Sequence, residues 1–168
     1  MDRAELQELQ RPLKERYRDD PASALLTLRA EGRLDEQRIS CSVATGRALV
    51  EAGLHPATGG TGALACSGDM LLEALAACAG VTLRSVATSM ELDVGGSVHV
   101  EGDLDFRGTL GVDREAPVGF TAIRLRFELE SDASREELDK LLERTARYCV
   151  VYQTLAGGVP LELSYETR

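Results

Sequence analysis

The sequence has no tryptophan, and aromatic residues fill only 4% of its 168 positions. A core built from this chain must rest on Leu, Val, Ile and Ala, with apolar burial as the driving term. Histidine occurs only as His55 and His99, and the four cysteines, Cys41, Cys66, Cys78 and Cys149, form no CxxC pair. Structural zinc needs clustered Cys and His ligands, so no metal site is expected. A basic excess is also missing: 19 Lys and Arg stand against 28 Asp and Glu, for a formal charge of −9. General nucleic-acid binders need a net basic footprint to displace counterions, so no nucleic-acid partner is expected. No run of about 18 uncharged apolar residues occurs, which argues against a conventional membrane span. The opening "MDRAELQELQRPLKERYRDD" lacks the apolar stretch of a signal peptide. The expected compartment is therefore the reducing cytoplasm, where a disulfide would be catalytic or transient, not a static staple.

What is present describes one soluble globular domain, 43% hydrophobic and 28% charged. Residues 3–18 read as a charged helix with Leu6, Leu9 and Leu13 on one side, disturbed at Pro12. From Leu25 the texture turns strand-like. "LLTLRAEGRL" and "RISCSVAT" flank "DEQ" as a hairpin, with Cys41 alternating inward between Ile39 and Val43. A Gly-rich connection from Glu51 to Gly68 leads to a long helix, residues 68 to about 91, capped by Ser67 or Asp69. Its apolar residues cover nearly the whole circumference, which predicts burial on all sides by a curved sheet and a second subunit. "DVGG" is expected to end it. Two alternating strands follow. In the first, Val98, Val100, Leu104 and Phe106 oppose His99, Glu101, Asp103 and Asp105. The second runs through Ile123, Leu125, Phe127 and Leu129. Ser134 with Glu137 is a capping box for a further amphipathic helix. A short helix after Cys149 and a closing strand, "VPLELSYE", complete an α+β order.

Three patterns carry weak chemistry. "GTGALA" fits a dinucleotide fingerprint only superficially, since a loop precedes it in place of the required strand. Glu101, Asp103 and Asp105 read as the wet face of a strand more readily than as a cation site. His55 is a loop histidine with no partner in view. Cys78, in "LLEALAACAGVT", is either a small core filler or a protected nucleophile, and Cys149 is open to the same two readings. Activation of a thiol requires a cation, a helix N-terminus or a hydrogen-bond donor. No histidine lies near either cysteine, but arginines are plentiful at Arg29, Arg33, Arg38, Arg47 and Arg84.

"CSGDMLLEALAACAGVTLRSVATSMEL" together with "RYCVVYQTLAGGVPLEL" resembles the OsmC/Ohr family of cysteine-dependent peroxidases, in a divergent OsmC-like branch. The resemblance covers residues 25–168 and leaves residues 1–24 as an N-terminal helical extension. It implies an α+β fold with curved antiparallel sheets around a long central helix, in an intertwined homodimer. It further implies that Cys78 is the peroxidatic cysteine and Cys149 the resolving one, cycling through a sulfenic acid and a Cys78–Cys149 disulfide. A small or lipoyl-type dithiol would be the reductant, with no cofactor. The family's arginine maps best to Arg33, with Arg29 and Arg38 as competitors, and its carboxylate to Asp69. Nine positions along a straight helix, about 13 Å of rise, separate Asp69 from Cys78, so the carboxylate would act from the partner subunit. Glu73, the other candidate, lies about 140° around the helix from Cys78. Val150 stands where the family's second motif carries proline. On the same scaffold, a small-ligand-binding protein and a thiol redox sensor without turnover are the alternatives.

Overall fold

The computed structural model of the chain describes residues 2–20, 23, 25, 32–34, 40–44, 49–111 and 113–167. The N-terminal helix, α1 (Arg3–Asp19), passes through Pro12 without ending. The proline removes one helical hydrogen bond, and the flanking Glu, Gln, Leu and Lys residues favour helix strongly enough to continue. Arg3 Nη1 meets Glu91 Oε2 at 2.7 Å and ties α1 to the central helix.

Four short strands make the first sheet: β1 (Gly32–Leu34), β2 (Ser40–Ala44), β3 (Leu49–Gly53) and β4 (Ala65–Cys66), in that spatial order. The expected hairpin is the β1–β2 pair, antiparallel with Leu34 opposite Cys41. β3 pairs antiparallel with β2, and Glu51 and Arg33 both sit opposite Ser42. In sequence, residues 51–53 read as part of the Gly-rich connection. This strand is too short for its alternation to show and is defined by its pairing.

The second sheet is the antiparallel pair β5 (Gly95–Leu104) and β6 (Phe120–Glu130), with Val98 opposite Phe127 and Val100 opposite Leu125. Its outer face is wet and ion-paired. Arg124 bonds Asp103 at 2.8 Å and Glu101 at 3.3 Å, so that acidic run is a charged strand face. Phe106, expected on the inner face of β5, instead opens a short helix, α3 (Phe106–Thr109), which Asp105 caps through the Arg107 N–H. The Phe106 ring stacks on His55 at 5.0 Å, and His55 Nδ1 accepts from the Ala57 N–H. His55 is thus a packing and capping residue.

The central helix, α2 (Ser67–Ser89), lies against the inner face of β5–β6 and against α4 (Arg135–Tyr148) and α5 (Val150–Gly157). Its N-cap is Cys66, with no side-chain cap bond, in place of Ser67 or Asp69. The helix ends at Met90 and Glu91, the latter at φ 58°, ahead of the glycines expected to stop it. Those glycines belong to β5. Gly96, at φ 116°, brings its backbone so close to Glu128 that a Cβ would stand 1.9 Å from the carbonyl oxygen. Leu75, Ala79, Leu83, Val86 and Ala87 are buried, and Leu141 and Val94 complete the core against them. The helix is not enclosed on all sides within the chain: Val81 is 73% exposed, and Leu71, Ala74 and Ala77 are open too. By length and composition α2 is also apolar enough to cross a membrane, with a mean hydropathy of 1.5. Glu73 and Arg84 interrupt the segment, so no uncharged apolar run of that length stands in the sequence. The capping box on α4 forms as expected, Ser134 Oγ accepting from the Glu137 N–H and Glu137 Oε2 from the Ser134 N–H. The predicted closing strand does not form. Residues 159–166 have no strand pairing within the described chain, and Leu161 and Leu163 are fully open.

Candidate active site at a pair of cysteines

The site begins with a break between two helices. Cys149 ends α4 and starts α5, with φ −75° and ψ 108°, an extended conformation that turns α5 back onto α2. Its N–H closes α4 on Thr145 O and its carbonyl accepts the first bond of α5 from Gln153, each at 2.9 Å. Gln153 Nε2 reaches the Ala146 carbonyl at 2.9 Å and braces the angle between the helices. The first N–H groups of any helix lack intrahelical acceptors and carry positive partial charge. Here the N–H groups of Val150 and Val151 are aimed at Cys78 on α2.

Cys78 and Cys149 pack in one cluster with Leu75, Ala79, Val100 and Ile123, both as free thiols and within hydrogen-bonding reach of each other. Cys149 is fully buried and Cys78 half-buried, so Cys78 is the one a reactant can reach. Their acidities move in opposite directions. Burial opposes ionisation of Cys78. Donation from the Val151 N–H, then the Cys149 thiol, the Thr82 hydroxyl and the Val150 N–H, overrides it and holds the Cys78 pKa below the usual thiol value. Burial pushes Cys149 up, the neighbouring Cys78 pushes it further, and the Tyr152 and Val151 N–H groups offset this only in part. The pair is thus a thiolate-prone sulfur beside a protonated one, with no histidine involved. An apolar groove of about 350 Å³ opens beside the cluster, lined by Leu75, Phe120, Leu125, Tyr152 and Leu155.

Arg33 is the middle residue of β1, and the first sheet meets α2 chiefly through β4, among the described residues. Arg29, Arg38 and Arg47 fall outside the described residues. Asp69 is exposed in the first turn of α2 and Glu73 is exposed one turn on, and neither forms an ion pair with a described residue. Arg84 donates to the Val94 carbonyl and lies about 120° around the helix from Cys78. Cys41 is on β2 opposite Ala52, and Cys66 begins α2 as a free thiol. No group of three His, Cys, Asp or Glu side chains among the described residues is arranged to hold a metal. Sequence reasoning, looking for a cation, passed over the α5 N–H groups and Thr82. The signals were there: a helix starting directly after Cys149, and a hydroxyl four residues after Cys78.

The family model described as OsmC-like protein matches residues 60–164, which include both cysteines. No curated protein sequence matches the chain. Among solved structures, the fold is similar to that of an OsmC-like protein from Mycoplasma pneumoniae, with a TM-score of 0.65 at 20% identity, covering 79% of this chain and 89% of that one. It is also similar to an organic hydroperoxide resistance protein OsmC from Legionella pneumophila, with a TM-score of 0.57 at 18% identity over 79% and 91% of the two chains. A third, an organic hydroperoxide resistance protein from Elizabethkingia anophelis, gives a TM-score of 0.56 at 17% identity over 80% and 91%. At these identities the likeness is one of fold, and the match that spans most of the chain is the family's own: the chain belongs to the OsmC-like protein family.

Proposed function

We propose that the protein is a cytoplasmic thiol peroxidase that reduces organic hydroperoxides, with Cys78 as nucleophile and Cys149 as resolving cysteine. The observation that carries this reading is the packing of two free thiols in one cluster, one buried and one accessible, where α5 begins against α2. The Cys78 thiolate attacks the distal peroxide oxygen. The S–O bond forms, the O–O bond breaks, and the alkoxide leaves as an alcohol after taking a proton. The Cys149 sulfur then attacks the Cys78 sulfenic acid, forming the disulfide and releasing water. A dithiol of lipoyl type returns two electrons and two protons and leaves as its own disulfide. No cofactor enters any step.

The apolar groove beside the cysteines favours alkyl over hydrogen peroxide, because only the former gains from apolar burial. Arg33 and Asp69 complete this reading, Asp69 from a second copy of the chain, since nine positions along α2 separate it from Cys78. The open apolar face of α2 and the extended residues 159–166, with Leu161, Leu163 and Tyr165 exposed, support an intertwined homodimer that covers both. Residues 1–24 are the extension and 25–168 the OsmC-like domain. Turnover of cumene hydroperoxide with dihydrolipoamide tests the reading: the wild type consumes it faster than hydrogen peroxide, and Cys78→Ser consumes neither. Equal rates with both peroxides would remove the groove from the argument. No turnover with either would leave a redox sensor or a ligand-binding protein.

A further inference from the structure

One stripe of the central helix has two claimants. Leu71, Ala74 and Val81 are exposed on α2, and they fall with Ser85 and Ser89 within an arc of about 80° around the helix. The homodimer reading covers the open part of this stripe with a second copy. α1 already lies along the rest of it, where Leu6, Gln10 and Lys14 face Val81, Ser85 and Ser89 across a gap of about 660 Å³. Leu71 to Val81 is about 15 Å of helix and Val81 to Ser89 about 12 Å, and the two stretches meet at Val81. Packed helices keep their axes about 8–10 Å apart, so no second element can lie on the turns from Val81 to Ser89 while α1 stands there. A two-fold contact sets the same patch of both copies face to face, and both α1 helices then obstruct it.

α1 is lightly held. Of its described side chains only Leu6 and Gln10 are half-buried, and the rest are exposed. Val81, at the edge of the gap, stays 73% exposed with α1 in place. The ion pair that ties α1 to α2, Arg3 with Glu91, is exposed on both partners, where such a pair contributes little. A helix of 17 residues with a proline inside it is marginal on its own, so α1 melts once it leaves α2.

We propose that α1 is a displaceable cap on self-association. In the single chain it occupies the Val81–Ser89 half of the stripe, and a second copy that takes the stripe drives it off as an unfolded arm. This rests on the homodimer reading and gives the extension a job within it: α1 sets the concentration at which two copies pair.

The test uses the full chain and needs no peroxidase activity. Arg3→Glu sets like charges against each other at Glu91. It should lower the dimer dissociation constant about two- to fivefold by sedimentation equilibrium, in spite of the negative charge it adds. Arg3→Glu with Glu91→Arg rebuilds the pair in reverse and should return the wild-type constant. Amide hydrogen exchange of residues 3–19, followed by mass as protein concentration rises through the dissociation constant, should accelerate towards the rate of an unfolded chain. An unchanged or weaker dimer in Arg3→Glu, or α1 amides equally or better protected in the dimer, overturns the cap and leaves the homodimer standing. Wild type and Arg3→Glu that both stay monomeric at every concentration would strike the cap and the homodimer together.

Discussion

Replacing Val150 by proline deletes one backbone N–H beside Cys78 and changes little else. Val150 is the first residue of α5, where proline is well accommodated because that N–H has no helical acceptor. Cys149, at φ −75° and ψ 108°, already holds the extended conformation that a following proline requires. The valine side chain is 71% exposed, so its loss removes little packing. What disappears is the weakest of the donors that favour the Cys78 thiolate. A full hydrogen bond to a charged group contributes about 1.5–3 kcal/mol, and a weak one at a half-exposed, solvent-screened sulfur about half the lower figure. About 0.7 kcal/mol is a factor of about 3 in thiolate population at neutral pH. The assay is carbamidomethylation of Cys78 by iodoacetamide from pH 6 to 9, read at its peptide by mass. The Val150→Pro profile should shift to higher pH, with the neutral rate about twofold lower once the greater nucleophilicity of the more basic thiolate is counted. At high pH, where both thiols are fully ionised, the variant should match or slightly exceed the wild type, because a more basic thiolate is intrinsically the better nucleophile. Superimposable profiles, or a faster neutral rate in the variant, would refute the claim that α5 N–H groups activate this thiol.

Ser134→Ala removes the α4 capping box and should cost about 1 kcal/mol, seen as a lower urea midpoint with an unchanged slope. The Ser134 hydroxyl, and then its backbone N–H, hold Glu137 below the ordinary carboxylate range. A depressed folded pKa stabilises above the unfolded value and loses that effect as pH falls through the folded one, so the deficit should shrink in strong acid. Ending the chain at Gly158 removes the exposed Leu161, Leu163 and Tyr165 and should convert a dimer into a monomer by sedimentation. A full-length chain that sediments as a monomer at micromolar concentration would contradict the homodimer.

Much of the fold was legible because several patterns are long. The alternation from Val98 to Leu104 and from Ile123 to Leu129, the apolar run of α2 and the Ser134–Glu137 box each specify one local structure. Short or context-dependent features were not legible. β3 depends on β2 for its existence, Phe106 leaves its strand to stack on His55, and the alternation of residues 159–166 finds no edge among the described residues. Of the site, the two cysteines were legible through their motifs. Their asymmetry was not, because it arises where the start of one helix meets the side of another, 71 positions apart in the sequence. Two of the groups that favour the thiolate are backbone N–H groups and two are the Cys149 and Thr82 side chains. The short helix after Cys149 was legible, but that its first turn faces Cys78 is a matter of tertiary packing.

The central claim is that Cys78 and Cys149 act as one redox pair. One equivalent of tert-butyl hydroperoxide, added to the reduced protein, followed by alkylation and disulfide mapping by mass, tests it most directly. The account predicts a Cys78–Cys149 disulfide, with Cys41 and Cys66 recovered as alkylated thiols. Four alkylated thiols, or a disulfide that omits Cys78, would contradict it.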